Sequence, residues 1–545
     1  MHETGPFSTP SIRDFVPEKL KPWIIIFFVI VFQFSGGIYL AAVSEMVGSL
    51  ALMQEDILMA GYACMVGMGL TFTIMFRLKF RFPTKTAFLT CAGALIICNL
   101  ICVHTNSVPV LVATSFVAGI FRMWATFECN STVQLWITPK RDLSVFFCYI
   151  YLLVQSCIQL SGIVTVYTGH WANWEYMHWL VIGLLGGVML ATVLLFRSYR
   201  SMRKLPLFGI DWLGGLMWGL TLLCIIFVCV YGEHYDWFNS IYIKQATGIG
   251  IILLALNLWR ASFIRHPFIA IQTFTYPAMY TTFLLYIVID ILLAPSHILE
   301  HIYLESILNY DELHIISFNW IILLAVIVGS GFTYFTFARH KWRYKTMTLI
   351  AFTAIAGYLM WFYFNIDYNL SKESLYLALF LRGFAYVVIA ITFLTALSRV
   401  PFQHFFQAIS VQSFVSAGFG GVLGTAIIGR VLNVIMKKNV ILLGSSLDRV
   451  NPLVQHIPSN QLYGALQQQA LMVSMKEIYG WLALIALFCI LLFAIKESVL
   501  RPEYAIHPRY RMIRRYIKHQ LRMRDKTKEE RNQEKHLKKQ GNLVG

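Results

Sequence analysis

Four ionisable residues, Glu45, Arg122, Asp290 and Arg382, each interrupt a long apolar run. Leaving a charge inside a bilayer costs about 2.5–3.5 kcal/mol or more on insertion scales, so such a group needs a partner, water or a task. Asp290, in Tyr286-Ile-Val-Ile-Asp-Ile-Leu292, has apolar neighbours on both sides. Taking a carboxyl out of water favours its protonated form, which suits it to pick up a proton on one side of a membrane and release it on the other. The competing reading is a fixed ion pair, with Arg382 as the partner, that holds helices together. Arg382 could also clamp an anionic substrate. Arg122 is expected as a gate or helix-pairing residue, with Glu128 beside it. Glu45 is read either as a coupling group or as an interfacial residue reaching outward.

The uncharged polar residues Gln33, Asn99, Gln155, Gln159 and Asn319 are expected to face a cavity, where they would touch substrate or hydrogen-bond between helices. Gly418, Gly420, Gly421 and Gly424 would let one helix approach a neighbour closely, which a gating helix requires and ordinary tight packing also explains. One enzyme-like match exists: His297-Ile-Leu-Glu-His301 fits H-x-x-E-H, the spacing of an inverted zinc-peptidase motif. On a helix it would put two imidazoles one turn apart with a carboxylate beside them. No third ligand is evident nearby, and chance is the better explanation. The expectation is therefore no enzyme activity, no metal and no cofactor, with a membrane zinc enzyme using His297, Glu300 and His301 as the alternative from another class. No G-x-x-x-x-G-K-[ST] loop is present, so the drive would be an ion gradient or the substrate's own gradient.

The elements that must position these groups are membrane helices. Hydrophobic residues make up 58% of the chain and charged ones 13%, against about 25% charged in soluble domains. Fourteen apolar stretches, most of them about 18–24 residues long, are each long enough to cross a bilayer. They are read as 22–44, 56–76, 86–104, 107–128, 144–167, 177–196, 210–231, 240–260, 277–297, 315–337, 345–364, 373–398, 409–433 and 478–496. The +17 net charge lies in short connections and in the tail, a pattern of topology and not of nucleic-acid binding. If 1–21 is cytoplasmic, the even connections carry Arg77, Lys79, Arg81 and Lys85, then Arg197, Arg200, Arg203 and Lys204, then Arg339, Lys341, Arg343 and Lys345. The odd ones carry Glu55, Asp56, Glu175, Glu233, Asp236, Glu300, Glu305, Asp311 and Glu312. This obeys the positive-inside rule with both termini in the cytoplasm.

The expected organisation is a cytoplasmic segment 1–21, a six-helix bundle 22–204, an inserted helix pair 205–265, a second six-helix bundle 266–499 and a basic cytoplasmic tail 500–545. The second bundle includes an external connection, 436–477, whose polar sequence has helical character. In the tail, Met512, Ile513, Tyr516, Ile517 and Leu521 recur at helical spacing among arginines and lysines, as in a helix lying on an anionic leaflet.

Several motifs in order carry a resemblance. Asp211-Trp-Leu-Gly-Gly-Leu216 is followed by Tyr231-Gly-Glu-His-Tyr-Asp-Trp237. Trp171-Ala-Asn-Trp-Glu-Tyr-Met-His-Trp-Leu180 precedes them, and Leu381-Arg-Gly-Phe-Ala385 and Gly420-Gly-Val-Leu-Gly-Thr-Ala426 come after. Together they resemble the fourteen-span drug:proton antiporter branch of the major facilitator superfamily, the EmrB/QacA-like exporters. The departures from that pattern are specific. Ser35 stands where the branch carries an acid in its first span. The second connection, Phe76-Arg-Leu-Lys-Phe-Arg-Phe-Pro-Thr-Lys85, keeps positive charge but lacks the Asp and glycines. Span 4 has Ser115 and Gly119 at the places of the Arg and Gly, with Arg122 three positions later.

The resemblance implies an all-α polytopic fold of the major facilitator type, fourteen spans in a 6+2+6 arrangement, in a bacterial inner membrane. It implies secondary active export of hydrophobic or amphipathic small molecules, with a periplasmic adaptor and outer-membrane channel as possible partners. A lipid or dedicated metabolite carrier with different coupling is the alternative, because the first-span acid is gone.

Overall fold

Helices form wherever an apolar run meets a starting signal. Pro stands in the first turn of three of them, where its missing N–H costs nothing, and Asp142 and Asp211 cap two others through the N–H groups of Ser144 and Gly214. The computed structural model describes residues 11–35, 43–138, 142–199, 204–264, 266–415, 421–445, 447 and 458–495. Its α-helices in chain order are α1 Lys21–Phe34, α2 Val43–Leu50, α3 Gln54–Arg81, α4 Thr84–His104, α5 Val108–Ile137 and α6 Leu143–Trp171. Next come α7 Glu175–Leu195, α8 Trp212–Tyr231, α9 Ile241–Phe263, α10 Pro277–Leu293, α11 Leu299–Ile302 and α12 Glu312–Ser317. The last are α13 Asn319–Thr333, α14 Tyr344–Asn365, α15 Lys372–Leu397, α16 Phe402–Ser413, α17 Gly421–Ser445 and α18 Ser459–Ile495.

Among the described residues twelve helices are long and apolar enough to cross a membrane, with α1 as a shorter apolar helix. They coincide with twelve of the expected spans. Expected span 22–44 falls on α1 and on residues 36–42, and 409–433 on α16, residues 416–420 and α17; 36–42 and 416–420 lie outside the described residues. The expected connection 436–477 is mostly helix, because α17 runs to Ser445 and α18 starts at Ser459. The tail 500–545 and most of 1–21 also lie outside the described residues.

Two separate hydrophobic cores organise the chain. One is built from α1, α3, α4, α5 and α7, with Phe28, Phe32, Phe88 and Phe196 at its centre. The other joins α10 to α15, α17 and α18 around Phe352, Tyr358, Phe362 and Tyr479. A third cluster, including Leu70, Ile226, Ile243, Val411 and Phe414, packs the α8–α9 pair against α3 and α16, at the seam between the two halves. A smaller one joins Phe146 and Phe147 of α6 to Val387 and Ile391 of α15 across that seam. Side chains on the outer surface of α8 and α9, such as Leu216, Ile251 and Ile252, are apolar and more than half exposed, as lipid contact requires.

The α3 and α5 backbones approach each other closely at two glycines. A methyl group at Gly67 would sit 2.1 Å from the Phe116 carbonyl oxygen, and one at Gly119 only 2.0 Å from that of Cys64. Glycine at both places lets the two backbones touch.

Candidate functional site

The seam between the halves carries a set of groups at one-turn spacing. On α6, Tyr151 and Gln155 are four residues apart, so they share a face. Tyr151 meets Tyr286 of α10, and Gln155 meets Tyr386 of α15. Asp290 follows Tyr286 by one turn and acts electrostatically on both Tyr286 and Tyr386. It is 8% exposed, and its Oδ2 is buried with no hydrogen-bond partner among the described residues. From the third side α17 closes on this acid: a methyl at Gly424 would lie 3.1 Å from the Asp290 carbonyl oxygen and 2.8 Å from the Ala294 side chain. A methyl at Gly421 would meet nothing within 4 Å, and Gly418 and Gly420 lie outside the described residues.

Arg382 does not pair with Asp290, as expected above, but with Glu300, whose other oxygen accepts a hydrogen bond of 2.5 Å from Tyr358. The cause is a break in the helix. After Leu293 the chain makes a 3₁₀ turn, Ala294–Ser296, and resumes as α11, which turns Glu300 inward onto α14 and α15. His297 lies within electrostatic reach of Arg382, whereas His301 faces away onto Glu305 at 3.2 Å. The H-x-x-E-H residues therefore do not converge, and among the described residues no three His, Cys, Asp or Glu side chains are placed to hold an ion.

The other half has a related arrangement with one difference. Arg122, on its fourth spanning helix, reaches back to its first, as Arg382 reaches Glu300. Here the partner is neutral: Nη2 donates to the Gln33 carbonyl at 2.8 Å and to Gln33 Oε1 at 2.9 Å. Gln33 Nε2 in turn donates to Thr126 at 3.1 Å. Glu128 does not join Arg122, as expected, because six residues along a helix turn the side chain roughly 240° away. It is held instead by Lys79 at 3.4 Å and Thr84 at 2.7 Å, with Ser131 also on Lys79 at 2.6 Å.

Asn99 is buried, donating to the Leu95 carbonyl and meeting His178 Nδ1 at 2.8 Å, so it ties α4 to α7. Gln159 and Asn319 are partly buried. The Glu45 side chain lies outside the described residues. The tyrosines were missed as site residues; their signal was their one-turn offsets, Tyr286 before Asp290 and Tyr386 after Arg382.

On the basic face the halves are closed by contact. Lys341, between α13 and α14, reaches Asp142 at the start of α6 at 2.6 Å, and Phe76 and Phe127 meet Phe402 and Phe406 of α16 at ring distances of 5.4–6.0 Å. Burial pushes the Asp142 carboxyl up, but the Lys341 ammonium and Ser144 outweigh it and hold it below the ordinary carboxylate value. A depressed native value contributes stability above the unfolded carboxyl's range and loses it as pH falls through the native value. Lys341→Ala is thus expected to lower stability by less than about 1 kcal/mol at neutral pH, as for exposed pairs. The difference from wild type should vanish in acid, which thermal unfolding at pH 7 and below pH 4 would measure.

Three solved structures have this fold. A nucleoside transporter, NupG, superposes with a TM-score of 0.52 at 13% identity, covering 88% of this chain and 100% of that one. A peptide transporter, POT, solved with sulfate, gives 0.54 at 14% over 89% and 95%. A bacterial homologue of the human drug peptide transporters gives 0.55 at 13% over 90% and 99%. At these identities the likeness is one of fold alone. No family model matches the chain, and no curated protein does.

Proposed function

We propose that the chain is a secondary active transporter of small molecules, coupled to protons through Asp290. The observation that carries this is the Asp290 carboxyl, buried at the seam of two helical halves beside Tyr286 and Tyr386, with its Oδ2 lacking a hydrogen-bond partner among the described residues. A carboxyl kept there without a counter-charge costs energy that a structural role would not require. In a fold that works by rocking of its halves, a group at the seam is reached from each side in turn.

The transporter is read as fourteen spans in a 6+2+6 arrangement, a member of the EmrB/QacA-like branch, with termini in the cytoplasm of a bacterial cell and export of hydrophobic or amphipathic compounds. The charge asymmetry of the connections and the α8–α9 pair at the seam support the arrangement. A periplasmic adaptor would meet the acidic-face ends of α17 and α18. One observation favours a lipid or dedicated metabolite carrier as a second reading: Ser35 replaces the branch's first-span acid and donates its hydroxyl to the Phe32 carbonyl at 2.7 Å, leaving no acid at that place.

The test is movement of a panel of fluorescent lipophilic compounds in proteoliposomes under an imposed proton gradient. Gradient-dependent movement of several compounds supports the export reading. Movement of none, with or without a gradient, removes broad-specificity export and leaves a narrow carrier.

A further inference from the structure

The buried charges of the two halves are not matched alike. Lys79 is answered by Glu128 and Arg382 by Glu300. Among the described residues Arg122 has only neutral neighbours: the Gln33 carbonyl and amide oxygens, the Met68 sulfur at 3.5 Å, and the thiols of Cys64 and Cys157. It is 6% exposed, and its Nε–H is buried with no acceptor among the described residues. Asp290 is not among the groups that act on it.

An unpaired buried acid can take up a proton and become neutral, but a guanidinium in a protein stays charged. Arg122 is therefore a permanent buried cation with no anion beside it among the described residues. Its position is held: Gln33 grips Nη2 twice, and Thr126 fixes the Gln33 amide, so the guanidinium is set before anything binds. The Nε–H, and an Nη1 that meets the Met68 thioether, have no oxygen acceptor among the described residues, with only the soft Cys64 sulfur also near, and are the donors a visiting anion would use. Arg382, by contrast, is already neutralised and so is not available for that role.

We infer that Arg122 receives the anionic group of the transported molecule, a carboxylate, sulfonate or phosphate. The substrate class is then amphipathic organic anions and not the lipophilic cations that an unpartnered Asp290 alone would suggest. This inference rests on the reading of the chain as a transporter, but the site can be tested by binding alone.

The experiment compares dansylglycine, dansylamide and dansylcadaverine, which share one aromatic body and carry a negative, a neutral and a positive group. Equilibrium binding to the full-length protein in detergent is measured first, then movement in proteoliposomes. Dansylglycine should bind tightest. Arg122→Gln should weaken it by about tenfold to a hundredfold, the worth of one charge-assisted hydrogen-bond set, without weakening dansylcadaverine. Arg122→Lys, which keeps the charge, should recover part of the loss. If Arg122→Gln fails to fold, the order of the three probes on wild type decides. Equal binding of the three, or tighter binding of the cation, overturns the inference. Dansylglycine that binds at Arg122 but is never moved, under any gradient, leaves the anion site standing and removes the transport reading. Dansylcadaverine moved in preference does the reverse.

Discussion

Asp290→Asn should abolish gradient-driven accumulation while leaving the folded protein at least as stable as wild type. Asparagine has the shape of the protonated acid, so the Tyr286 and Tyr386 surroundings persist, but it cannot release a proton. If Asp290 carries the coupling proton, substrate still binds and still runs down its own gradient, and only uphill movement is lost. The stability measurement separates this from a structural role. Breaking a buried ion pair typically costs about 3–5 kcal/mol, whereas removing a carboxyl whose Oδ2 has no partner should cost nothing and can raise the melting temperature. A variant that loses both transport and stability would mark Asp290 as a structural residue. Asp290→Glu, which keeps a titratable group one methylene longer, should retain partial coupling.

The second large effect is expected at the α3–α5 contact. Gly119→Ala places a methyl 2.0 Å from the Cys64 carbonyl oxygen, and Gly67→Ala one 2.1 Å from that of Phe116. Backbone atoms cannot turn aside as a flexible side chain does, so the helices must separate. Overpacking of this kind costs about 1–3 kcal/mol and sometimes more, and here it also shifts Arg122, which lies one turn from Gly119 on the same helix. The double variant should cost less than the sum, because one separation relieves both clashes. Gly93→Ala is the control: nothing lies within 4 Å of a methyl there, and the gain in helix propensity, up to about 1 kcal/mol, should leave stability equal or higher. Thermal unfolding of the detergent-solubilised variants reads all four. A Gly119→Ala protein as stable as wild type would refute the close contact.

The helices were legible because bilayer thickness imposes a length, and the sided charge in their connections is a coarse signal that many residues share. Which buried charges meet was not legible, because pairing depends on local geometry. Arg382 was expected on Asp290, and the turn Ala294–Ser296 brings it Glu300 instead; although Pro295 announces a break, it does not say where the chain points next. The Arg122–Glu128 expectation was avoidable, since a six-residue offset does not bring two side chains to one face. Lys79, read as a surface charge of a basic connection, is buried because α3 runs on to Arg81, carrying the lysine down to Glu128. The connection 436–477 lacks the apolar content of a span, so its extension of α17 and α18 beyond the bilayer's length left only a weak trace.

The crossing of α17 over α10 at Gly424 has a further consequence. The glycine packs on the Asp290 peptide group, so under the proposed coupling any movement of α17 would be felt directly at the residue that carries the proton. On that proposal helix movement and proton exchange would be linked by direct contact, with no long-range signal needed between separate sites.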